Sequence, residues 1–203
     1  MTHTPIDVLV IGAGMHVSGR GTSGYGTVLP AVVQAHRDGV VGRVLVAATS
    51  ANSIQAANEK MAGLNLLLGT AVKLEGFPER GEDPHAYQQA LAALGKRACV
   101  IIVVPDHLHF VMAKAAIQRR LPVMVTKPLV PTLAEAQELV RLAENLGVYG
   151  VVDFHKRWAL PNLKLLKEDG TAESEYDVVS VVLKDDKDIE VWVWGVTTEQ
   201  NLT

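Results

Sequence analysis

The chain has 203 residues, 48% of them hydrophobic and 20% charged, and a formal net charge of −3. That length and mix suit one large domain, or one domain with the start of a second, built around a substantial apolar core. With no block of like charge and no apolar run of membrane-spanning length, neither nucleic acid nor a bilayer is an expected partner.

In chain order, Asp7–Gly12 is a short apolar run ending in glycine, as a strand buried on both faces should be. Arg43–Ala48 is a second. Ser53 can cap a helix with apolar residues at Ile54, Ala57, Met61, Leu64 and Leu68, closed by Gly69. Val72–Glu75 reads as a short third strand. Asp83 before Pro84 is a cap and first-turn proline for a helix carrying Tyr87, Ala90, Leu91 and Leu94. Cys99–Val104 and Pro122–Thr126 read as buried strands with a helix over roughly 107–119 between them. Thr132 with Glu135 is a capping box, opening a helix that stops at Gly147, and Val148–Phe154 is the last strand. Repeated strand–helix alternation predicts an α/β fold, a doubly wound parallel sheet of Rossmann type.

Residues 156–203 differ in character. A helix near Leu160–Lys167 precedes two β-rich runs, Tyr176–Leu183 and Ile189–Val196, which read as an antiparallel hairpin. Two such strands need a surface to pack on. The expected division is a dinucleotide-binding domain over 1–154 and a short, incomplete α+β segment over 155–203. The lone cysteine, Cys99, lies in an apolar run and is expected to be an inert core thiol. The N-terminus has no basic, apolar leader pattern, which predicts a cytoplasmic protein.

The chemistry begins at the first strand's end. Gly12 permits a tight turn, and Gly14 lets backbone approach a pyrophosphate closely; with the adjoining Met15 they are the candidate phosphate contacts. The third fingerprint glycine is replaced by Val17, and glycines 19, 21, 24 and 26 follow, so the loop is expanded before a helix starting near Thr27. Strand two ends in Ala48-Thr49-Ser50-Ala51-Asn52 without a carboxylate. Thr49, Ser50 and Asn52 can donate to a 2′-phosphate, which favours NADP over NAD, though no arginine stands beside them in sequence; the same residues can equally just start the next helix. Lys127, at a strand's carboxyl end, can touch the nicotinamide ribose and the reacting hydroxyl together and hold or relay a proton. Alone it would read as a solvated charge. His107 and His109 do not share a helix face, so no metal site is expected. His155 and Arg157 share one side of a strand and can reach substrate or pair with acidic groups.

Three stretches carry a resemblance. Val103-Val104-Pro105-Asp106-His107-Leu108-His109, Val125-Thr126-Lys127-Pro128-Leu129 and Val152-Asp153-Phe154-His155-Lys156-Arg157 are similar to motifs of the Gfo/Idh/MocA oxidoreductases, in the proper order over about residues 6–165. The resemblance implies a Rossmann domain followed by an α+β domain whose open sheet often makes the oligomer interface. It implies hydride transfer between a sugar-like or cyclitol carbinol and NADP or NAD. It places Pro105 and His109 beside the cofactor, with His109 lining the nicotinamide end, and makes Lys127 and His155 the catalytic candidates. A small-molecule substrate and a homo-oligomer through the C-terminal strands follow from the same resemblance. Thr126 stands where the family has glutamate, so no carboxylate there orients the lysine. The family's second domain also supplies a histidine–aspartate motif, and no histidine follows His155 here. Two functions are therefore expected: an NAD(P)-dependent oxidoreductase, or a catalytically inactive dinucleotide- or partner-binding protein.

Overall fold

The computed structural model describes residues 4–154 together with the backbone of two strands at 176–184 and 190–198. Strands β1 (Ile6–Ile11), β2 (Val41–Ala47), β3 (Leu74–Phe77), β4 (Ala98–Ile102), β5 (Val123–Thr126) and β6 (Gly150–Asp153) form one sheet in the order β3-β2-β1-β4-β5-β6. Every pairing in it is parallel. This is the doubly wound Rossmann order, with its switch point between β1 and β4.

The unbroken apolar runs follow from burial on both faces. Along β1 and β2, Val8, Val10, Val44 and Val46 pack under α1 (Met15–Ser18), α2 (Val28–Arg37) and α3 (Ala51–Leu68). Their neighbours Leu9, Ile11, Leu45 and Ala47 face α4 (Ala86–Ala92), α5 (His109–Gln118) and α6 (Leu133–Leu146). Alternation of side chains across a strand thus feeds two cores from one segment.

Several boundaries move for identifiable reasons. The cap of α3 is Ser50 rather than Ser53: the Ser53 N–H donates to Ser50 Oγ, and Ser53 sits inside the first turn. Asp83 is not the cap of α4; its Oδ1 accepts from the His85 N–H at 2.8 Å, a turn that delays the helix to Ala86. Val72 lies outside β3 because Asn65 grips its backbone, with the Val72 N–H donating to Asn65 Oδ1 at 3.0 Å and Asn65 Nδ2 to the Val72 carbonyl at 2.9 Å. A 3₁₀ turn over Asp106–Leu108 precedes α5. The capping box of α6 forms as read, Thr132 and Glu135 serving each other's backbone N–H.

Strands β7 (Tyr176–Lys184) and β8 (Glu190–Thr198) pair antiparallel. The helix expected near 160–167, His155 and Arg157 lie outside the described residues. Among the described residues no helix is long and apolar enough to cross a membrane.

Candidate functional site

The carboxyl ends of β1, β2 and β4 open on one cavity of about 410 Å³. Gly12, Gly14, Thr49 and Pro105 line it, joined by Arg20, Ser53, Pro84, His85, Val104 and Val111. Its walls are mostly apolar, with a few polar groups at the β2 side, the pattern of a pre-formed nucleotide pocket.

The two glycines of the turn do different work. Gly12 has φ +117°, and a Cβ there would stand 2.0 Å from the Val103 carbonyl oxygen. Only glycine lets the turn pass beneath the end of β4. Gly14 has ordinary extended geometry, and a Cβ there would meet no protein atom within 4 Å. Its missing side chain is therefore not demanded by packing and leaves room for a ligand at the mouth. Met15 is 66% exposed beside it and is not part of the cavity wall.

The expanded loop after α1 is built rather than loose. Gly19 has φ +73°, and a Cβ there would overlap the Gly24 carbonyl at 2.1 Å, so the loop closes tightly on itself. Lys60 of α3 donates to the carbonyls of Thr22 and Gly24, each at 2.7 Å, and lies over the Tyr25 ring. Tyr25 packs on Gly63 of the same helix. Held at those points, the loop delivers Arg20 to the end of β2, where its guanidinium donates to Ser53 Oγ at 2.7 Å. An arginine does stand beside the strand-two turn, then, supplied from another segment. The only signal in the sequence was its place within the glycine-rich loop. Thr49 lines the cavity, Ser50 joins through its bond to Ser53, and Asn52 is exposed on the first turn of α3 outside the wall.

His109 departs from expectation. Its ring is fully buried, with Nδ1 2.8 Å from the Pro128 carbonyl oxygen and Nε2 2.9 Å from that of Val104. Each nitrogen faces a backbone carbonyl, and whichever carries the N–H donates to one of them, so the buried ring turns no polar atom toward a cofactor and packs between the turn after β4 and the turn after β5. Lys127 is exposed on that second turn, immediately before a cis Pro128. It lies at the same edge of the sheet as the cavity without forming its wall. Thr126 Oγ1 donates to the Ile102 carbonyl at 3.3 Å, and Thr126 pairs in register with Asp153. Cys99 is half-buried, and burial pushes its thiol pKa up, away from reactivity. Among the described residues no three His, Cys, Asp or Glu side chains gather as a metal site.

Comparison with known proteins agrees with this geometry. Residues 6–154 match the Gfo/Idh/MocA oxidoreductase family, NAD-binding Rossmann fold. A 59-residue stretch, 29% of this chain and 17% of the relative, is 41% identical to the uncharacterized oxidoreductase YdgJ of Escherichia coli K12. Among solved structures, the WlbA dehydrogenase of Bordetella pertussis, in complex with NADH and UDP-GlcNAcA, superposes with a TM-score of 0.56 at 18% identity over 80% of this chain and 41% of that one. An NAD binding oxidoreductase from Klebsiella pneumoniae gives 0.52 at 20% identity, over 79% of this chain and 37% of that one. The chain thus spans about two fifths of the length of these solved structures. The switch-point cavity, the glycine turn and the match across residues 6–154 together establish that the chain belongs to the Gfo/Idh/MocA oxidoreductase family.

Proposed function

We propose that the protein is an NAD(P)-dependent oxidoreductase acting on CH–OH groups of a sugar-like or cyclitol substrate. The observation that carries this is the open space at Gly14, in a cavity set at the switch point of the sheet. A nicotinamide dinucleotide, when bound, supplies the hydride donor or acceptor. The Gly12–Gly14 backbone would face its pyrophosphate, and Thr49 and Ser50 its adenosine ribose. Pro105 would shape the wall toward the nicotinamide end. Lys127, exposed at the end of β5, would hold the proton of the reacting hydroxyl, its charge steadying the developing alkoxide. His155 is the second candidate for proton handling. The sugar nucleotide bound by the Bordetella relative supports a carbohydrate-like substrate class. Self-association through β7 and β8 belongs to the same reading, since a two-stranded sheet leaves edges to be covered.

The test is a screen of sugars and cyclitols by reduced-cofactor absorbance, on wild type and Lys127→Ala. We expect turnover to fall about a hundred- to ten-thousand-fold in the variant, with cofactor affinity little changed. Activity that survives the substitution refutes the lysine's role. Dinucleotide binding without turnover on any substrate favours the inactive binding protein.

A further inference from the structure

We propose that Arg20, Ser50 and Ser53 form a phosphomonoester subsite that reads the 2′-phosphate of NADP, with Arg20 of the glycine loop as the residue that sets cofactor preference. This rests on the dinucleotide reading above and adds the reader that the strand-two turn itself lacks.

Adenosine ribose lies beyond the carboxyl end of the second strand in this fold, where a carboxylate would accept from both hydroxyls and repel a 2′-phosphate. Here the stretch Ala48–Asn52 offers hydroxyl and amide groups instead. Arg20 lines the cavity at that point together with Thr49 and Ser53. One N–H of its guanidinium is spent on Ser53 Oγ at 2.7 Å, which fixes the fork. No carboxylate among the described residues pairs with it. A guanidinium has five N–H donors in a plane that matches a phosphate, so an unpaired one on a cavity wall is a ready anion receptor.

The serine pair extends the donor set. Ser53 is 6% exposed and accepts from Arg20, while its oxygen lies 2.9 Å from Ser50 Oγ. With Ser53 Oγ accepting from Arg20, its hydroxyl can donate to Ser50. In that arrangement Ser50, half-buried and already accepting the Ser53 N–H at 3.2 Å, has its own O–H to give away. The chain of bonds then runs from guanidinium to Ser50 hydroxyl, with N–H and O–H hydrogens left to give at its two ends. Two acidic residues stand close by. Asp83 is engaged, accepting from the His85 N–H at 2.8 Å and from Gln89 Nε2 at 2.9 Å. Glu82 bridges to Ser50 through the backbone and has an exposed side chain, which makes it the competing reader for an unphosphorylated ribose.

The experiment titrates the 203-residue chain calorimetrically with 2′,5′-ADP and 5′-AMP, then with NADP and NAD. The nucleotide pair reports the adenosine half whether or not the chain turns over. We expect wild type to hold 2′,5′-ADP about ten- to a hundredfold more tightly than 5′-AMP. Arg20→Gln should erase that ratio while leaving the thermal midpoint in place, with NADP affinity falling more than NAD affinity, and Arg20→Lys should restore part of the ratio. Equal affinity of wild type for NADP and NAD, or preference for NAD, overturns the subsite and leaves dinucleotide binding standing. An unchanged ratio in Arg20→Gln also overturns it. Wild type that binds neither dinucleotide overturns both readings together.

Discussion

Gly12 and Gly14 are two residues apart and answer to different forces. At Gly12 a methyl group would have to occupy the space of the Val103 carbonyl oxygen on a backbone with φ +117°, so the constraint is on folding. At Gly14 the backbone is ordinary and the surroundings are open, so the constraint is on what binds. We expect Gly12→Ala to destabilise the chain by about 3 kcal/mol or more, combining strain and overlap. Gly14→Val should keep its denaturation midpoint and lose dinucleotide affinity. Denaturant unfolding and cofactor titration on both variants check this; equal stability losses would show that the turn is merely structural. The G-x-G spacing already separated the two roles, a tight turn at Gly12 and close ligand approach at Gly14; what it could not name is the Val103 carbonyl that the first must clear. Arg20 was missed for a related reason. It comes into reach of Ser53 only because Lys60 and Tyr25 pin the loop onto α3, a contact over 33 residues of sequence. Strand-local reading looks for the ribose reader just after β2, whereas the arginine we propose for that role arrives from before β2.

At the scale of elements, the strands and helices were legible because each satisfies its own local demand. The run of β1 is apolar at every position that faces either core, and Thr132 with Glu135 closes the start of α6 within four residues. The turns were less legible, since their partners are distant. His109 shows this best: expected to line the nicotinamide end, it is instead fully buried with its ring set between the carbonyls of Val104 and Pro128, at two separate strand ends. The first of those turns borders the cavity and the second carries Lys127. We expect His109→Ala to cost about 2–4 kcal/mol, from the cavity left behind and the carbonyl that loses its donor. Dinucleotide affinity should fall as well, because the Val104–Pro105 turn is no longer held against the β5 turn. Unfolding midpoints and titration measure the two effects; a variant as stable as wild type would mean that water serves the carbonyls equally well.

Across the whole molecule, the two ends of the sheet are divided between function and stability. The carboxyl ends carry the glycine turn, Arg20 and Lys127, while the opposite side holds an ion cluster that ties three strands together. Arg43 of β2 donates from Nε and one terminal nitrogen to the Glu75 carboxylate of β3, at 2.9 and 2.7 Å, and reaches Asp7 of β1 at 3.3 Å. The hydrogen bonds from Arg43 hold the Glu75 carboxyl below its usual range, against an opposing effect of burial, with the charge of Arg43 adding a smaller contribution. A carboxylate depressed in the folded state adds stability above its unfolded value and loses it as pH falls through the lowered one. Both side chains of the pair are 44% exposed, so solvent screening limits the contribution to under about 1 kcal/mol. Glu75→Gln should therefore lower stability slightly at neutral pH, and the gap from wild type should close below the ordinary carboxylate range, about pH 4. Dinucleotide affinity should not change, because the substitution sits at the far end of the strands from the cavity. Denaturant midpoints across that pH range, with a cofactor titration at neutral pH, test both halves. A gap that widens in acid would contradict the sign argued for Glu75. Loss of cofactor binding would show that the two ends of the sheet are coupled, through the strands that touch both, β1 from Asp7 to the Gly12 turn and β2 from Arg43 to the turn at Thr49.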